Sequence, residues 1–73
     1  MKLNEIICVD KDILSGTPVF KDTRVPVKNF FDYLETGESI EMFLTDFPSV
    51  KKEQVLKLLE ILEETVLSNE LSE

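Results

Sequence analysis

Pro48 constrains this chain more than any other residue, because it separates two runs of helix-spaced apolar side chains. Before it, Ile40, Phe43, Leu44 and Phe47 fall at i, i+3, i+4 and i+7, one apolar face of a short helix. The residue ahead of a proline is pushed out of the α region, so that helix stops near Phe47. A second helix is expected from near Val50. In it Val55, Leu58, Leu59, Leu62 and Val66 fall at i, i+3, i+4, i+7 and i+11. A short helix, a tight turn and a longer helix with matching apolar faces is the outline of a helix-turn-helix. It is equally the outline of a small helical hairpin, and the functional question turns on which of the two it is.

The long helix has more apolar surface than one face needs. Leu56, Ile61 and Leu67 lie off its main stripe, so the apolar arc covers roughly two-thirds of the circumference, where a surface helix needs about 100°. The surplus is expected to meet a second copy of the chain or a partner protein. Size argues the same way. Seventy-three residues make one domain, and its core supplies no more than about 3–5 kcal/mol. A single cysteine, Cys8, gives no internal disulfide. That suits a reduced, cytoplasmic protein. No apolar run approaches the roughly 18 residues of a membrane span, and the start of the chain turns acidic too soon for a signal peptide.

Ahead of the helix pair, Ile6–Val9 reads as a short strand and Asp10-Lys11-Asp12 as a bend. Val19-Phe20, Lys21-Asp22 and Thr23-Arg24-Val25 read as two brief strands around a tight turn. Pro26 suits the first turn of a helix. Val27, Phe30, Phe31 and Leu34 then keep helical spacing as far as about Glu35. Gly37 is placed to stop that helix, and Ser39 to cap the next one. The expected organisation is a β arm over 1–26, three helices over 27–67 and a frayed tail over 68–73, mainly α. The expected helical core is Val27, Phe30, Phe31, Leu34, Ile40, Phe43, Leu44, Phe47, Val55, Leu58, Leu59 and Leu62.

The net charge is −7, with no histidine. Residues 38–73 carry three bases and nine acids, and all three bases, Lys51, Lys52 and Lys57, stand in the first turns of the long helix. From Glu60 onward there are five acids and no base. Such a chain does not coat nucleic acid generally, which needs a net basic footprint. One small basic patch remains for DNA, and the acidic end suits a basic protein. In a helix-turn-helix the first turns of the second helix enter the major groove. A glutamine there, as Gln54 is, can pair both edges of adenine, while lysines reach phosphates or guanine. A lysine at the positive end of a helix gains nothing from the helix dipole, which hints at use. Solvated lysines at an ordinary helix start explain the same residues, and both readings stand. Arg24 is a further candidate for DNA phosphate, with an ion pair to Asp22 or Glu35 as its plainer role.

Little else carries chemistry. Asp10 and Asp12 lack the later glutamate and glycine of a calcium loop, so turn formation explains them. Cys8 has no histidine to activate it. The aromatics keep helical core spacing rather than forming an open platform for bases. No enzyme activity and no cofactor are expected.

Taken in order, Gly16 and Pro18, Thr23-Arg24-Val25-Pro26-Val27, Gly37, Phe47-Pro48 and the helix from Val50 resemble the family known as domain of unknown function 433. The resemblance runs from about Ile6 to Leu62. It implies a homeodomain-like three-helix domain behind a short β arm. It further implies an antitoxin that binds a neighbouring PIN-like, nuclease-type toxin and its own promoter. Members of that family usually carry Gly where Asp22 stands, and many carry Ser or Thr in place of Lys51 to cap the last helix. Here Ser49 or water is expected to supply that cap. The combined expectation is a dimeric, non-catalytic DNA-binding regulator. Its DNA-contacting residues are Lys51, Lys52, Gln54, Lys57 and Arg24, and its partner-binding residues are Leu56, Ile61 and Leu67. The alternative is a dimeric protein-interaction module without a DNA role.

Overall fold

A computed structural model describes residues 2–69 of the chain. Two short strands, β1 (Ile7–Cys8) and β2 (Val19–Phe20), precede three helices, α1 (Val27–Glu35), α2 (Ile40–Asp46) and α3 (Lys52–Asn69). The architecture is mainly α with an N-terminal β arm. The strands pair antiparallel, with Ile7 opposite Phe20 and Cys8 opposite Val19. Between them Asp10 forms a side-chain turn, its Oδ1 accepting from the Asp12 N–H at 2.8 Å. That is the turn role expected of this pair of acids.

The expected second strand at Thr23–Val25 does not form. The Thr23 N–H donates to the Phe20 carbonyl at 3.0 Å, closing a turn in which Asp22 has φ +64°. Positive φ at the third position alone is the type II pattern, whose twist matches that of a long hairpin poorly. Thr23 Oγ1 is also spent inside the turn, donating to the Phe20 carbonyl and accepting from the Val25 N–H. Pro26 has no N–H to extend a ladder. The segment pairs with β2 only through one isolated antiparallel bridge, Val19 to Pro26, where the Phe20 N–H donates to the Val25 carbonyl and the Val27 N–H to the Pro18 carbonyl, both at 3.0 Å.

The helix ends follow local chemistry. The Glu38 N–H donates to the Tyr33 carbonyl at 2.9 Å and the Gly37 N–H to the Leu34 carbonyl at 3.1 Å, with Gly37 at φ +88°. This is a Schellman stop, and only glycine adopts that φ without strain. A Cβ at Gly37 would meet nothing within 4 Å. Gly37→Ala is therefore expected to cost about 1 kcal/mol, from conformation alone. A urea titration checks it, and an unchanged midpoint would mean that the turn relaxes freely. Ser39 Oγ accepts from the Met42 N–H at 3.0 Å, as its position predicts.

The core joins the arm to the helices. Ile6, Phe20, Val27, Phe30, Phe43, Val50, Val55 and Leu58 are buried in one cluster. Phe43 is its hub, with ring centroids 5.0 Å from Phe47, 5.2 Å from Phe30, 5.4 Å from Tyr33 and 5.9 Å from Phe20. The helical stripes place most of these residues. They miss Ile6, Val19, Phe20 and Val50, and they wrongly include Leu34 and Leu62, both of which are exposed.

Candidate nucleic-acid interface

The start of α3 is built differently from the expectation. The helix begins at Lys52, and Ser49 is not its cap. Instead Gln54 Oε1 reaches back to accept from the Lys51 N–H at 2.9 Å, the return half of a capping box. Gln54 Nε2 donates to the Lys21 carbonyl at 3.1 Å, across 33 positions of sequence. Both functions of the amide are thus used within the chain. The residue expected to read adenine fastens the arm to the helix.

The basic side chains fall into two groups. Lys51, Lys52 and Arg24 are exposed. Among the described residues the ion pairs are Lys28–Asp32 and Lys57–Glu60, so Arg24 is not tied to Asp22 or Glu35. Lys57 is half-buried and lies 3.4 Å from Glu60, which neutralises part of its field. A shallow depression between the arm turn and α3 has Lys21 and Lys51 on its wall together with Glu5 and Glu53. An adjoining one brings in Arg24 and Cys8, and the two share Lys21, Asp22 and Ser49. Lys21 was not singled out from the sequence. The available signal was its place in one turn with Arg24, a base on either side of Asp22.

The apolar candidates also divide. Leu56 is exposed, ringed by Lys52, Glu53, Lys57 and Glu60. Ile61 is half-buried and packs against the core, so it is not part of a free surface. Leu67 is 56% exposed and is joined by two residues of the main stripe, Leu62 at 38% and Val66 at 52%. Length explains this. α3 has 18 residues, about 27 Å, while α1 with 9 and α2 with 7 span about 14 Å and about 10 Å. The body covers α3 only as far as Ile61, and the stretch beyond stands clear with Glu63 and Glu64 along it and Glu60 at its root.

Elsewhere Tyr33 donates to Asp46 Oδ2 at 2.6 Å, tying α1 to α2, and this bond raises the tyrosine pKa above its ordinary value. Cys8 is half-buried in β1, with no histidine in the chain to activate it. No helix among the described residues is long and apolar enough to cross a membrane. Exposed cations thus stand at one end of α3, and exposed apolar and acidic side chains at the other.

A family model described as Protein of unknown function (DUF433) matches residues 7–60. An uncharacterized protein of Sinorhizobium fredii, y4eO, is 41% identical over 51 residues. The match takes in 70% of this chain and 23% of that protein, so the chain spans about a quarter of its relative's length. No solved structure matches the chain.

Proposed function

The chain belongs to the family described as Protein of unknown function (DUF433), and on that premise we propose that it is a non-catalytic, antitoxin-like regulator of the cytoplasm. In this reading the start of α3 contacts DNA, and the free half of α3 holds a nuclease-like toxin protein. The observation that carries it is the division along one helix. Lys51 and Lys52 stand exposed at the α3 start, while the other end pairs exposed Leu62, Val66 and Leu67 with acids only. Cations at a helix N-terminus cost folding energy, so their placement there favours a contact outside the chain.

The test is a mobility shift on the DNA upstream of the protein's own gene, with and without the product of the adjacent gene, across a salt series. Specific binding that weakens with salt is expected. Lys51→Glu with Lys52→Glu is expected to weaken it about a hundredfold, with the fold intact. Unchanged affinity in that variant would remove α3 as the contact surface. A dimeric interaction module without DNA is the second reading. It is favoured by the net charge of −7 and by the Lys57–Glu60 pair, which leaves fewer cations free. A chain that sediments as a dimer and gives no shift at low salt would select it.

A further inference from the structure

We propose that the arm turn is a second DNA-backbone contact, with Lys21 and Arg24 binding phosphates beside Lys51, and that Gln54 is the positioning residue that holds this turn against α3. The inference rests on the DNA reading above and extends it from one helix to two elements.

The Lys21 segment is held from both sides. Its N–H donates to the Ile6 carbonyl at 2.8 Å, and its carbonyl accepts from Gln54 Nε2 at 3.1 Å. Gln54 itself cannot turn away without releasing the Lys51 N–H. One side chain therefore fixes the backbone of two lysines that are distant in sequence. The Thr23 hydroxyl, bonded to Phe20 and Val25, holds the remainder of the turn and so the backbone position of Arg24. Backbones placed in this way reduce the ordering cost that flexible cations bring to a phosphate contact.

The local charge allows such a contact although the chain as a whole is acidic. Lys21, Arg24, Lys51 and Lys52 face Glu5, Asp22 and Glu53 there, while Glu60, beside Lys52, is paired with Lys57 at 3.4 Å. Glu5 is already engaged, accepting from the Lys2 N–H at 2.7 Å. No ion pair among the described residues occupies any of the four cations. Such contacts fix the register of a protein on the duplex without reading its sequence.

The experiment measures affinity for a short duplex from upstream of the gene, by fluorescence anisotropy, as a function of salt. Each phosphate neutralised contributes about 0.9 to the slope of log affinity against log salt. Lys21→Ala with Arg24→Ala is expected to lower that slope by about 2, close to the effect of Lys51→Ala with Lys52→Ala. Gln54→Met keeps all four cations and is expected to lower the slope by about 1 as the turn comes loose. A merely structural role for Gln54 would lower the unfolding midpoint and leave the slope alone. If the Lys51/Lys52 variant loses slope while the Lys21/Arg24 variant keeps it, the arm contact is overturned and the DNA reading survives. Absence of salt-dependent binding by the wild-type chain would overturn both.

Discussion

Phe43→Ala is expected to leave the chain largely unfolded at room temperature. The ring is fully buried and touches Phe20, Phe30, Tyr33 and Phe47, which come from the arm, α1 and the turn after α2. Truncating such a phenylalanine costs about 3–5 kcal/mol, and the whole core of a domain this size supplies about the same. No disulfide is present to offset the loss. Far-UV circular dichroism through a urea titration reads the result. Phe31→Ala is the control, since Phe31 is half-buried and its ring neighbour is Phe30 at 5.5 Å. It is expected to cost about half as much and to keep a cooperative transition. A Phe43→Ala chain that unfolds at the wild-type midpoint would show that the ring cluster does not hold the fold. Its loss would also free α3 from the arm, so any DNA contact that survives in the variant belongs to an isolated helix.

The residues that were legible in the sequence are those whose partners lie nearby. Gly37 and Ser39 work through neighbours three to five positions away, and the sequence predicts both correctly. The three helices follow from spacing, because an apolar stripe of period 3.6 has few other folded uses. What failed was non-local. β2 forms its ladder backwards with β1 and reaches forwards only by the single bridge to Pro26, and two-residue strands carry no periodicity to announce it. The bond of Gln54 to Lys21 was out of reach too, because it spans 33 positions. Leu62 and Val66 continue the core stripe, and periodicity says nothing of where the body ends. Helix lengths do say so, since nine and seven residues cannot cover eighteen. The exposed end of α3 was therefore available to arithmetic although not to pattern. The start of α3 was misjudged for a different reason. A cap was sought in Ser49, ahead of the helix, while the bond came from Gln54, within it.

That exposed end carries the second large effect. Leu62→Ala with Val66→Ala is expected to change chain stability by about 1 kcal/mol or less, because both side chains already face solvent and alanine favours the helix. The same pair is expected to weaken capture of the adjacent gene's product at least tenfold, and by about a hundredfold if these two are the buried anchors. Charge argues for a basic partner over a second copy on this surface. Two distal halves packed antiparallel would set Glu60, Glu63 and Glu64 of one chain against the same glutamates of the other, with no base beyond Lys57 on either. Like charges opposed in this way are unfavourable, whereas a lysine- or arginine-rimmed groove turns the same residues into steering charges. Binding should accordingly be faster at low salt, with the on-rate falling as salt rises. Calorimetry and stopped-flow on the purified pair separate the two contributions, since the alanines act mainly on dissociation and salt on association. If the double variant loses its cooperative unfolding, the distal half belongs to the body after all. If it folds and binds as the wild type does, the partner sits elsewhere, and Leu56 with its ring of mixed charge becomes the surface to test.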